Sequence, residues 1–140
     1  MKSWLCLDRL TVLTPAALLA LRLYLGAFLV WGVWDNIASA ARMAEFEAFL
    51  ADLGAPMPAL AAPVSVWIQF AIGVLLIPGL LTRWAGLFLA LNFLVAVVLM
   101  AGAGADGRAL FPPAILIFVG LVLAATGAGR WSLDRRLANR

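Results

Sequence analysis

Four predominantly apolar runs of about 20 residues each constrain this chain more than any motif does. They are Pro15 to Trp34, Leu60 to Leu81, Trp84 to Gly102 and Ala109 to Ala128. A helix rises about 1.5 Å per residue, so about 20 residues cross roughly 30 Å of hydrocarbon. No water reaches a bare backbone there, which leaves helices that close their own hydrogen bonds as the solution for such runs. With 66% hydrophobic residues and a mean hydropathy of +1.06, a soluble bundle could not hide this much apolar surface. The expected fold class is therefore all-α: a four-helix transmembrane bundle in one domain over residues 1–140, with an interfacial amphipathic helix between spans one and two.

Helix punctuation fits these limits. Thr14-Pro15 reads as cap and first turn, Pro63 and Pro112-Pro113 sit near starts, and Gly102, Gly104, Gly127 and Gly129 follow ends. Pro78 removes a backbone donor near the end of span two and predicts a bend there. Between spans one and two, residues 38–53 place Met43, Phe46, Leu50 and Leu53 on one helical face and turn Arg42, Glu45 and Asp52 away. Asp35 or Asn36 is the expected cap, and Gly54 with Pro56 ends the segment. Such a helix lies on the membrane surface or covers the bundle; a mobile gate is the alternative. No internal repeat is convincing.

Charge gives a direction. If both ends share a side with the turn at Leu81 to Arg83, that side receives Lys2, Arg9, Arg22, Arg83, Arg130, Arg135, Arg136 and Arg140. Arg42 and Arg108 fall on the other side, where Asp35, Glu45, Glu47, Asp52 and Asp106 collect. The positive-inside rule then predicts a multi-pass protein of the cytoplasmic membrane with both termini cytoplasmic. Trp4, Trp84 and Trp131 mark one interface, and Trp31, Trp34 and Trp67 lie toward the other. Ala38-Ser39-Ala40 has the form of a signal-peptidase site, but the first span is long for a signal core and contains Arg22.

The chain has no histidine and a single cysteine, Cys6, which reads as an ordinary small apolar residue. Haem, zinc and iron–sulfur sites are not expected from that inventory. No nucleophile with a base, phosphate-binding loop or paired-carboxylate site is recognisable, so no catalytic residue is assigned. The net charge of +3 comes from ends and turns, not from a basic stripe that could follow nucleic acid.

Polar side chains inside hydrocarbon are costly, which makes the few present the candidate site residues. Arg22 lies about 10 Å from the basic end of its span, within reach of Arg83 and Asp134. The expectation is a polar cluster of Arg22, Arg83 and Asp134 in which Asp134 accepts hydrogen bonds from one of the arginines, as a structural lock or a functional group. Gln69 and Asn92 sit deeper on neighbouring spans. They either bond across the bundle or contact a quinone carbonyl or lipid head group, with Trp67 and Phe70 supplying flat apolar surface. Gly86/Ala90 and Gly120/Ala124 allow close approach of spans three and four, or of two copies.

The order of several short pieces resembles the DoxX family of small four-span membrane proteins. They are Leu21-Arg22-Leu23 through Gly26 and Gly32; Phe46, Phe49, Gly54, Pro56 and Pro58; Gly73 through Gly79-Leu80-Leu81-Thr82-Arg83; and the closing Gly127-Ala128-Gly129-Arg130-Trp131-Ser132-Leu133-Asp134. The resemblance implies a link to sulfur- and quinone-dependent respiration and to membrane oxidoreductase complexes. The chain departs from that pattern: Gln69 stands where similar proteins usually carry a glutamate, an acid early in span four is missing, and there is no histidine. An amide does not titrate, so proton-transfer versions of the function lose support.

The expected function is an accessory, non-catalytic subunit of a quinone-linked membrane complex. It has no intrinsic cofactor, binds a quinone or lipid, and has membrane lipids, oxidoreductase subunits or further copies of itself as partners. The alternatives are a small-molecule, quinone or lipid carrier, and a membrane assembly factor.

Overall fold

The computed structural model describes residues 7–139; the expectations that rest on Lys2, Trp4, Cys6 and Arg140 lie outside the described residues. A 3-10 turn, Asp8–Leu13, leads into α1 (Thr14–Ala38), followed by α2 (Ala40–Asp52), α3 (Pro58–Leu76), α4 (Thr82–Gly102), α5 (Gly107–Thr126) and the short α6 (Leu133–Ala138). The fold is all-helical, and α1, α3, α4 and α5 are each long and apolar enough to cross a membrane.

Two boundaries differ from expectation for identifiable reasons. Span two ends at Leu76, five residues before Leu81. Pro78 therefore bends nothing; it lies in the turn beyond the helix, where it cannot donate to an i−4 carbonyl. Gly79 follows at φ +70, and the amides of Gly79 and Leu80 return to the carbonyls of Leu76 and Leu75, closing the helix end. Span one instead runs a turn past Trp34 and takes Asp35 and Asn36 into α1. Neither of them caps α2. That role falls to Ser39, a single extended residue between the two helices whose Oγ accepts from the Arg42 amide at 3.4 Å.

The apolar stripe of α2 packs as its periodicity requires. Leu50 is buried with Ala55 and Ala62, and Met43, Phe46 and Leu53 close around them together with Leu99 of α4. Arg42 and Glu45 face outward and form an exposed pair at 2.8 Å. Gly54, at φ +74, lets the chain turn back so that the Ala55 amide reaches the Leu50 carbonyl and Ala55 packs beneath that leucine.

The bundle consists of two tight helix pairs. In the first, α1 crosses α3 at Gly26 and Gly73, where a β-carbon on either residue would stand 2.8 Å from the other's carbonyl oxygen. In the second, α4 crosses α5 at Gly86 and Gly120, where the corresponding distances are 2.5 and 2.6 Å. The small residues noted in spans three and four thus serve contact within one chain. Hydrocarbon outside is as apolar as leucine, so close backbone approach and its dispersion contacts are what hold each pair. Near the chain ends the pairs are joined by a core of Leu25, Leu29, Ile72, Leu76, Ala85, Leu89 and Leu123. Toward α2 they separate.

Candidate functional site

The separation leaves a cavity of about 630 Å³, bounded by all four long helices and roofed by Phe46, Leu50 and Leu53 of α2. Phe28, Phe88 and Leu91 line it and are about half exposed, so the cavity is open to the surface of the bundle. Its polar lining side chains are Ser65, Gln69 and Asn92, and none of its lining residues is ionisable.

These three form a chain. Gln69 Nε2 donates to Ser65 Oγ at 3.1 Å, and the Ser65 hydroxyl donates to Asn92 Oδ1 at 3.1 Å. Gln69 and Asn92 are therefore brought to one place but do not touch. Sequence reasoning missed Ser65, although a serine four residues before Gln69 necessarily shares its helix face. The chain uses one donor of Gln69 and the acceptor of Asn92. Among the described residues it leaves Gln69 Oε1 and Asn92 Nδ2 without partners beside the cavity. An acceptor next to a two-proton donor suits a molecule bearing a carbonyl or hydroxyl group.

Trp67 is not part of this lining. It lies 53% exposed on the outer face of α3, edge-on to Phe70 with ring centroids 5.8 Å apart, and Phe70 in turn lies against Trp34. That row lies on the outside of the bundle, and Trp31, Trp84 and Trp131 are likewise exposed. The aromatic surface of the cavity comes from Phe28, Phe46, Phe49, Phe88 and Phe93 instead.

At the opposite end the structure gathers Arg22, Arg83 and Asp134, with partners other than those expected. Asp134 accepts no hydrogen bond from either arginine. Its Oδ1 takes the Leu81 amide at 2.7 Å and its Oδ2 the Thr82 amide at 2.9 Å, which caps α4. Arg22 is fully buried and donates through Nη1 to the Leu76 carbonyl at 3.1 Å and through Nη2 to the Trp131 carbonyl at 2.7 Å. Arg83 Nη1 donates to the carbonyls of Ala124 and Ala125 at 2.8 and 2.7 Å. The physical reason is that helix ends carry unpaired amides and carbonyls. A carboxylate at an N-terminus and a guanidinium at a C-terminus satisfy those groups and complement the helix dipole.

Although no repeat was legible in the sequence, the same devices thus occur twice. Each pair has an arginine one turn before a crossing glycine, and that arginine ties down the carbonyl end of the second helix. Each second helix is followed by a glycine of positive φ, Gly79 or Gly127, next to that arginine.

The sequence profile of the DoxX family matches residues 17–102. The match runs from the first turns of α1 to the last residue of α4, and so takes in α2 and all three polar residues of the cavity. It stops short of α5 and of the Gly127–Asp134 stretch. Searches of curated proteins and of solved structures find no significant match. A family profile covering more than half of the chain, over a bundle with four membrane-length helices, makes this a multi-pass membrane protein that belongs to the DoxX family.

Proposed function

We propose that this chain is a non-catalytic membrane protein that holds a neutral, mostly apolar molecule bearing a carbonyl or hydroxyl group, with a quinone or quinol as the leading candidate. The observation that carries the reading is the cavity of about 630 Å³ whose polar lining consists of Ser65, Gln69 and Asn92. Its size lies within the roughly 300–1,000 Å³ usual for small-molecule sites. Asn92 Nδ2 suits a quinone carbonyl and Gln69 Oε1 suits a quinol hydroxyl, so one site accommodates both redox forms. Lacking a titratable side chain, the lining offers no general acid or base, which supports binding over chemistry.

Magnitudes favour an exchangeable ligand. Lipid tails solvate an apolar molecule as well as the cavity walls do, so apolar burial supplies little net affinity inside a bilayer. Two polar contacts of about 0.6–2 kcal/mol each give a preference over bulk lipid of about tenfold to several hundredfold. That suits a carrier or presenting subunit better than a holder of a prosthetic group.

Family membership favours a compatible second reading, in which the chain is an accessory subunit of a quinone-linked membrane oxidoreductase. Electron transfer would then belong to a partner's cofactor. The excess of arginine at the end carrying Arg83, Arg130, Arg135 and Arg136 supports a cytoplasmic placement of both termini in the plasma membrane.

The test is to extract the protein gently and identify the neutral molecules that remain bound, comparing wild type with Asn92→Leu and Gln69→Leu. We expect both variants to fold and to lose most of the quinone. Equal retention in all three proteins would refute the site. Loss of folding in both would make the amides structural. A stoichiometric redox subunit in the same extract would support the accessory role.

A further inference from the structure

Independently of the cavity, a second recess lies at the end carrying α6. It has a volume of about 470 Å³ and is formed by the turn after α3, through Ile77 and Pro78, facing Arg130 to Leu133 and Arg136. Its walls are fixed to each other. The Leu133 amide donates to the Pro78 carbonyl at 3.1 Å and the Asp134 amide to the Gly79 carbonyl at 3.0 Å. Buried Arg22 holds the Trp131 carbonyl, and the Ser132 hydroxyl donates to the Gly129 carbonyl at 2.8 Å. Segment 131–134 is therefore seated in place before any ligand arrives.

Two cations in this recess are unspent. Arg130 and Arg136 are exposed, and among the described residues neither side chain has a hydrogen-bond or ion-pair partner. Asp134 is adjacent in sequence, but each of its oxygens already serves an amide at the start of α4. Beside the two arginines, Ile77, Trp131 and Leu133 present exposed apolar surface at the ends of the spans. Paired guanidinium groups recognise phosphate oxygens through forked hydrogen bonds, and an indole next to them is characteristic of the level where head group meets acyl chain.

We propose that this recess binds the head group of an anionic phospholipid from the adjoining leaflet. Arg130 and Arg136 hold the phosphodiester, while Ile77, Trp131 and Leu133 cover the first part of the acyl chains. A soluble phosphate would use the same cations but would gain nothing from the apolar wall, which is why the lipid is the chosen occupant.

The experiment is native mass spectrometry of the full chain in neutral detergent, titrated with phosphatidylglycerol or with phosphatidylcholine of the same acyl chains. One saturable phosphatidylglycerol site is expected, with phosphatidylcholine binding much more weakly. Each surface arginine near anionic lipid is worth about a fivefold change, so the double variant Arg130→Gln/Arg136→Gln should weaken that site about thirtyfold. Arg135→Gln, on the same short helix but outside the recess, should change it less than twofold. Matching thermal unfolding of the variants confirms that folding is intact. The proposal is overturned if the two lipids bind equally, or if Arg135→Gln weakens binding as much as the double variant does, which would mean diffuse surface charge. It is also overturned if millimolar glycerol 3-phosphate displaces the lipid, which would mean a site for soluble anions.

Discussion

Replacing Asp134 with alanine tests the claim that charge at this end of the bundle serves helix termini. The side chain accepts the amides of Leu81 and Thr82 and fastens the first turn of α6 to the start of α4. Hydrogen bonds to an ionised group contribute about 1.5–3 kcal/mol each when water cannot take over. Water reaches the exposed Leu81, so its bond is worth less; Thr82 is fully buried, and its amide would be left unpaired. The sum is a loss of about 2–4 kcal/mol. Asp106 provides the comparison, because it caps α5 through one exposed amide, that of Ala109 at 2.9 Å. Asp106→Ala should cost about 1 kcal/mol or less. Both variants can be unfolded by sodium dodecyl sulfate titration in mixed micelles and followed by helical circular dichroism. Asp134→Asn keeps one acceptor oxygen without the charge and should fall between wild type and Asp134→Ala. Equal losses for the two alanine variants, or a loss under about 0.5 kcal/mol for Asp134→Ala, would refute the capping argument.

The glycines of the first helix give opposite expectations on the same titration. Gly26→Ala must push α1 off the Gly73 carbonyl and should cost about 1–3 kcal/mol, whereas Gly32→Ala meets nothing within 4 Å and should be neutral or stabilising by up to about 1 kcal/mol. Gly86→Ala should resemble Gly26→Ala, and the reverse order would remove the close-crossing explanation. Arg83→Met frees the carbonyls of Ala124 and Ala125, so amide hydrogen exchange should accelerate in the last turn of α5 and remain unchanged in α3. Unaltered exchange in that turn would show that water replaces the arginine without consequence.

Much of the architecture could be read from hydropathy alone because bilayer thickness sets a single length scale for every span. The apolar face of α2 was equally legible, since Met43, Phe46, Leu50 and Leu53 recur at helical spacing and pack against the bundle accordingly. The boundaries were harder. Apolar residues continue through Ile77 to Leu81, and hydropathy alone does not register that Pro78 and Gly79 break the backbone ladder. The polar partners were least accessible. Opposite charges invite pairing on paper, but in the folded chain helix ends compete for them, and which end lies nearest depends on tertiary packing. Trp67 was misjudged for a related reason: two residues, about 200° of helix rotation, separate it from the lining Gln69, and sequence alone does not fix the rotation of a helix that is apolar all round.

The Ser65–Asn92 hydrogen bond joins the two helix pairs, with Ser65 on α3 and Asn92 on α4. Each pair is stiff because its backbones interlock at glycine, and near the chain ends the pairs share a core. Beside the cavity, this polar strut has a strength of about 1 kcal/mol, less than twice the thermal energy of about 0.6 kcal/mol. The gap it spans is therefore compliant: stretching it by the width of a methyl group unfolds no helix and breaks at most one bond. A compliant gap measures bulk poorly. What stays constant is the chemistry of each wall, an acceptor at Gln69 Oε1 on α3 and a donor at Asn92 Nδ2 on α4, while the distance between them follows the gap. Among molecules that offer a hydrogen-bond donor to one wall or an acceptor to the other, this protein should tolerate differences in girth.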